Sequence, residues 1–153
     1  EKKDPALLAK MTAFAQERHA AFVDVCVKLE EEIAGFTPEE KTEFLSEIGS
    51  EYTGLERIVI ESKKLMGLME FFTAGSEDEV RAWIIPVNTP APKAAGKIHS
   101  DIERGFIRAE AYSFADIDKY QDEKILKEKG LIRSEGKEYI IQDGDICFFR
   151  FNV

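Results

Sequence analysis

The chain has 153 residues, 44% of them apolar and 33% charged, with 30 acidic side chains against 21 basic and a formal net charge of −9. That length suits one ordinary domain or two small ones, and the composition is that of a folded, soluble protein rather than a disordered tail. The acidic balance excludes broad, non-specific adhesion to nucleic acid, and no apolar run approaches the roughly 20 residues that cross a bilayer, so a cytoplasmic protein without membrane contact is expected.

Asp4-Pro5 reads as a helix start, with the carboxylate capping free N–H groups and proline tolerated at the first helical position. Leu7, Met11 and Phe14 follow at helical spacing and predict its buried stripe. Ala21–Val27, A-F-V-D-V-C-V, is β-branched and predicts a strand buried on both faces, and Leu29–Phe36 turns helical again. A strand between helices signals an α/β layer, yet one strand makes no sheet, so this segment reads as incomplete. Thr37-Pro38-Glu39-Glu40 is a capping box opening a helix with Phe44, Leu45 and Ile48 on its apolar side and Gly49 at its end. From Thr53 a further helix carries Leu55, Ile58, Val59, Ser62, Leu65 and Met66 at spacings of three and four. The acidic runs at Glu30–Glu32 and around Glu39–Glu43 read as solvated helix faces.

Near Leu68 the pattern changes. Leu68–Gly75 and Val80–Val87 are strand-like and joined by Ser76–Glu79, which suggests a hairpin. Pro92 is placed to open a helix that turns Ala94, Ala95 and Ile98 inward. Ile107–Ser113 alternates as a strand; Phe114–Tyr120 and Asp122–Lys129 predict short helices, the second ended by Gly130. Tyr139–Phe151 reads as two strands across Asp143-Gly144, a strong short hairpin signal. The sum is an α+β domain in which a helix crosses a small mixed sheet, of β-grasp type.

Chemistry is sparse. The phosphate cradle G-x-x-x-x-G-K-[ST] is absent, as are G-x-G-x-x-G, H-E-x-x-H and serine-hydrolase motifs. Cys26 and Cys147 lie in apolar runs outside any metal-ligand spacing, so both are expected to be buried, reduced and without a metal. His19 suits a helix end. His99, Ser100 and Asp101 are sequence neighbours whose side chains diverge, which argues for a helix-to-strand corner and against a catalytic relay. Residues 93–108 hold Lys93, Lys97, Arg104 and Arg108 against Asp101 and Glu103, 4 − 2 = +2, with His99 beside them. This is either a rim that meets a phosphate backbone or a scatter of surface charge. At strand spacing Phe71, Phe72 and Trp83 read as core rather than as a base-stacking platform.

F-F-T-A-G, E-V-R-A-W, A-P-K-A-A-G-K-I-H-S-D-I-E-R-G-F-I-R-A-E, E-G-K-E-Y-I-I-Q-D-G-D-I and the terminal F-R-F-N-V resemble the C-terminal part of the YchF family of Obg-like ATPases. The I-H-S-D core is similar to the signature of their TGS domain, which threonyl-tRNA synthetases and stringent-response enzymes share. The resemblance implies residues 1–36 as the end of the P-loop ATPase domain, 37–67 as a helical linker and 68–153 as the TGS domain. It also implies a ribosome-associated parent that binds ATP or GTP with Mg2+ through motifs upstream, leaving this chain without a cofactor or catalysis of its own. Family members read the base with N-x-x-E, of which Glu1 stands as the last residue. The loop after the final strand corresponds to Cys26, Val27 and Lys28, where Val27 and Lys28 depart from the usual small pair. The implied partners are the ribosome, through rRNA or ribosomal protein at Lys93, Lys97, His99, Arg104 and Arg108, or alternatively the protein's own ATPase domain, whose nucleotide state the TGS domain would sense.

Overall fold

The computed structural model describes residues 4–76 and 79–152, and the chain divides into two compact units, residues 1–66 and 67–153. Glu1, assigned above to a base-reading element, and part of the Ser76–Glu79 turn lie outside the described residues.

In the first unit α1 (Pro5–Gln16) starts where the Asp4–Pro5 signal places it: the Asp4 carboxylate accepts from the N–H groups of Ala6 and Leu7 at 2.9 and 3.3 Å. Leu7, Met11 and Phe14, however, are exposed, and Ala15 alone of α1 is buried. The stripe is helical in spacing but faces outward, and the Arg18 guanidinium lies 3.6 Å from the centre of the Phe14 ring. The strand expected over Ala21–Val27 does not form: no strand pairs with these residues, and Val27 already opens α2 (Val27–Ile33). A β-strand is made by its neighbour's hydrogen bonds, and none is present here. α3 (Pro38–Glu47) and α4 (Gly54–Leu65) each begin with a complete capping box, Thr37/Glu40 and Thr53/Glu56. Of the predicted α3 stripe, Leu45 is buried and Ile48 is exposed; of α4, no residue is buried.

The second unit is an α+β fold with a five-stranded mixed sheet in the order β2-β1-β5-β3-β4. β1 (Leu68–Ser76) and β2 (Glu79–Pro86) form the expected antiparallel hairpin, with Phe71 opposite Trp83 and Met69 opposite Ile85. α5 (Ala91–Ile98) and α6 (Ser100–Arg104) lead into β3 (Phe106–Ser113), followed by α7 (Phe114–Tyr120) and α8 (Glu123–Glu128). α5 turns Ala91, Ala94 and Ala95 into a core with Phe71, Ile85, Ala109, Ala111, Cys147 and Phe149. Three alanines on one helical face let α5 lie close to the sheet, with Ile98 half-buried at its end.

The C-terminal hairpin is replaced by something less local. Residues around Asp143-Gly144 do turn, with the Asp145 N–H donating to the Gln142 carbonyl at 3.1 Å, but the flanks do not pair with each other. Ile140 bridges Pro90 instead, and β5 (Asp145–Phe151) enters the middle of the sheet, parallel to β1 and antiparallel to β3. The turn is docked on β1: the Glu70 N–H donates to the Asp143 carboxylate and the Gly144 N–H to the Glu70 carbonyl, both at 2.9 Å. Gly144, at φ +78, supplies the left-handed backbone this requires. A three-residue strand not anticipated from sequence, β4 (Arg133–Glu135), closes the sheet beside β3.

Of the cysteines, Cys147 is buried as expected, and burial pushes its thiol up to about 12. Cys26 is exposed, because the strand that would have enclosed it is absent. Phe71 is fully buried and Trp83 packs at the core's edge, its indole N–H donating to the Thr73 hydroxyl at 2.9 Å; Phe72 is half-buried.

Candidate functional site

The five residues singled out around the I-H-S-D stretch are not brought to one place. His99 separates α5 from α6. Its backbone is extended at φ −161 and ψ 143, and its Nδ1 accepts from the Asp101 N–H at 3.2 Å, capping α6. A ring nitrogen that accepts this bond carries no proton, so in the neutral ring the proton sits on Nε2. The Asp101 carboxylate lies 3.5 Å from the same nitrogen, so backbone and side chain of Asp101 both face Nδ1. The histidine at this corner serves as the N-cap of α6.

Around it, Lys93 pairs with Glu103 at 2.5 Å and Arg104 pairs with Asp101. Lys97 is exposed and makes no ion pair or hydrogen bond among the described residues. Three cations against two anions leave the α5–α6 corner with an excess of one, and Lys97 is its unneutralised member.

Arg108 stands elsewhere. On β3 it is the neighbour of Ala109, which faces α5 in the core, so strand alternation sends Arg108 to the other face of the sheet. There it shares Glu110 with Arg150, at 3.0 and 3.1 Å, and the Arg150 guanidinium lies 4.3 Å from the centre of the exposed Phe148 ring. Arg150 first, then Arg108, holds the Glu110 carboxyl below the usual carboxylate range. Sequence reasoning missed Glu110, Phe148 and Arg150 as a group. Their proximity follows from the antiparallel pairing of β3 with β5, in which Glu110 faces Phe148 and Arg108 faces Arg150.

A second polar group was also missed. Asp145, 2% exposed, accepts from Arg133 at 2.8 Å, from the Tyr139 hydroxyl at 2.7 Å and from the Gln142 N–H at 2.9 Å. All of these contacts lie within the second unit and fix the segment that leads into β5. The role is architectural: a buried carboxylate with its acceptor sites filled. Burial, reinforced by Asp145, holds the Tyr139 hydroxyl protonated well above its ordinary range.

In the first unit Cys26, Val27 and Lys28 are exposed at the start of α2. Asp24 just before them accepts from the Arg57 side chain at 3.0 Å, tying this loop to α4. Among the described residues no three His, Cys, Asp or Glu side chains are grouped to hold a metal ion, and no helix is long and apolar enough to cross a membrane.

Comparison with known proteins places this chain. The family model YchF-GTPase_C, described as "Protein of unknown function (DUF933)", matches residues 68–152. The chain is 47% identical over 146 residues to "Ribosome-binding ATPase YchF" of Escherichia coli O157:H7, covering 95% of this chain and 40% of that protein. The protein of the same name from Bacillus subtilis is also 47% identical over 146 residues, with the same coverage. Among solved structures, that of the Schizosaccharomyces pombe YchF GTPase superposes with a TM-score of 0.74 at 32% identity, covering 94% of this chain and 38% of that one. The chain thus spans about two-fifths of the length of these relatives, and it belongs to the YchF family.

Proposed function

We propose that residues 68–153 are the TGS domain of a ribosome-associated P-loop ATPase of the YchF type and act as its docking module. The α5–α6 corner, with Lys93, Lys97, His99 and Arg104, is the principal contact, and Arg108 offers a second from the opposite sheet face. The observation that carries this reading is the name shared by relatives 47% identical over 95% of the chain, "Ribosome-binding ATPase". The chemistry of the corner is compatible with it. Lys97 is unpaired among the described residues, and the ion pairs of Lys93 and Arg104 are exposed ones, worth about 0–1 kcal/mol each, so a phosphate can displace Asp101 or Glu103 at little cost. In the parent protein ATP or GTP and Mg2+ would be held by motifs outside these residues. Residues 1–36 would end that ATPase domain, with Cys26, Val27 and Lys28 near the nucleotide base, and 37–67 would link it to the TGS domain.

Co-sedimentation of the chain with ribosomes over a salt series tests the reading. Binding should weaken steeply with salt, as phosphate contacts do, and be lost in Lys97→Glu/Arg104→Glu. Arg108→Glu/Arg150→Glu, on the other sheet face, measures how much that face adds. Absence of binding by the unaltered chain at every salt concentration would sink the docking module as proposed. The second reading, a domain sensing its own ATPase domain, predicts instead that Lys97→Glu/Arg104→Glu alters ATP turnover of the family-length protein and leaves ribosome binding intact.

A further inference from the structure

On the sheet face away from α5 lies a pocket of about 230 Å³. Strand alternation builds it. Ala109, Ala111, Cys147 and Phe149 face the core, so Glu110 and Tyr112 of β3 and Ile146, Phe148 and Arg150 of β5 line the opposite side. α8 adds Glu123 to the lining. The volume is below the roughly 300–1,000 Å³ of pockets for drug-sized molecules, which leaves room for a single ring system.

The polar groups of this pocket are unevenly satisfied. Tyr112 is 7% exposed, yet its hydroxyl makes no hydrogen bond among the described residues. No side-chain oxygen or nitrogen shut off from solvent lacks a partner among those residues, so the hydroxyl opens into the pocket that Tyr112 lines. Burial first, then the Glu123 carboxylate, keeps it protonated and therefore a donor. Glu123 is exposed and makes no hydrogen bond or ion pair among the described residues, which leaves an acceptor in the same pocket. Glu110, by contrast, is occupied by Arg108 and Arg150, and two guanidiniums against one carboxylate leave this end cationic. Phe148 is 42% exposed, with the Arg150 guanidinium 4.3 Å from its ring centre.

Few ligands answer all of these groups at once. A lone phosphate or carboxylate leaves Phe148 unused and is repelled by Glu123. A lysine or arginine side chain suits Glu123, but it offers Tyr112 no acceptor and meets two guanidiniums. A nucleobase has flat apolar faces and carries acceptor and donor atoms side by side on one edge, and its sugar carries a phosphate. We infer that the pocket is a nucleotide site: the base lies against Phe148, its edge between the Tyr112 hydroxyl and the Glu123 carboxylate, and the phosphate meets Arg150 and Arg108. A free nucleotide and an unpaired nucleotide of single-stranded RNA present this same chemistry. The inference does not rest on ribosome docking, because a free nucleotide satisfies it equally.

Calorimetric titration of residues 1–153 with AMP, GMP, CMP, UMP and a short single-stranded RNA tests it, with ribose 5-phosphate and triarginine as controls. At least one nucleotide probe should bind, and ribose 5-phosphate should bind at least about tenfold more weakly. Tyr112→Phe should weaken the nucleotide about tenfold, and Phe148→Leu by about tenfold or more. The Tyr112 change breaks no hydrogen bond within the described residues, so the Trp83 unfolding transition should not move. Binding of the monophosphates assigns the pocket to a free nucleotide, and binding of the RNA alone assigns it to an unpaired nucleotide of a strand; both support the site. No binding by any nucleotide probe up to millimolar concentration would overturn it. So would equal binding of ribose 5-phosphate, a preference for triarginine, or binding indifferent to Tyr112→Phe.

Discussion

Residues 67–153 and residues 4–66 obey the same local rules and reach different ends. The second unit closes a core around Phe71, Ile85, Cys147 and Phe149, with α5 laid on the sheet through its alanines. In the first unit only Ala15, Ile33 and Leu45 are buried among the apolar residues, although its helices are the better capped, with two complete capping boxes and an Asp4 cap. The difference separates two things that are often run together. Helix boundaries are written by groups within three or four residues of each other and form wherever the chain is. A core needs surfaces from distant parts of the chain, and the first unit has its surfaces without their complements.

The contrast can be broken most sharply by truncating one apolar side chain in each unit. Phe71→Ala should cost about 3–5 kcal/mol in urea unfolding followed by Trp83 fluorescence, whereas Leu55→Ala should stay within about 0.5 kcal/mol in urea unfolding followed by the helix signal in circular dichroism. A comparable loss from Leu55→Ala would mean that the first unit has a core of its own. Next in size is Asp145→Ala, which leaves the Tyr139 hydroxyl and the Gln142 N–H without their acceptor. It should cost about 1.5–3 kcal/mol in urea unfolding followed by Trp83 fluorescence, the range of a hydrogen bond to a charged group. Gly105→Ala probes packing at the sheet end, since a β-carbon there would lie 2.1 Å from the Asn152 carbonyl oxygen; a loss of about 1–3 kcal/mol is expected.

The second unit should also be the alkali-sensitive one. The buried Cys147 thiol keeps its proton in the folded state up to about pH 12, whereas the unfolded thiol releases it near 9. The unfolded state therefore binds fewer protons above pH 9, and stability falls as pH rises, by up to about 1.4 kcal/mol per unit. Urea titrations at pH 8 and 10 measure this, and Cys147→Ala should flatten the slope over that interval. Smallest are the caps. Thr37→Ala and Thr53→Ala should each cost the first unit about 1 kcal/mol, seen as lost helix signal in circular dichroism without movement of the Trp83 transition.

How much of this was legible depended on how far apart the interacting residues lie. Asp4-Pro5, Thr37-Glu40 and the β1–β2 hairpin are local devices, and each was readable from its own stretch of chain. Asp143-Gly144 was readable as a turn but not for what it joins. The same turn serves a hairpin or a docking knob, and the hydrogen bonds to Glu70, 73 residues away in sequence, decide the matter. Likewise the basic stretch from Lys93 to Arg108 is one run in sequence and two faces in space. α6 ends and β3 begins within it, and strand alternation sends Arg108 to Glu110 and Arg150.

By itself the sequence determined where most helices start, which segments of the second unit alternate as strands, the α+β class and the family. Those properties rest on periodicity, capping and turn chemistry acting over a few bonds. Only the tertiary structure decided that β5 lies between β1 and β3, that β4 exists, that Cys26 is exposed, and that α4 carries its apolar side outward. Each of these depends on which distant surface is present to complete a strand or cover a stripe, and a residue's neighbours in sequence do not carry that information.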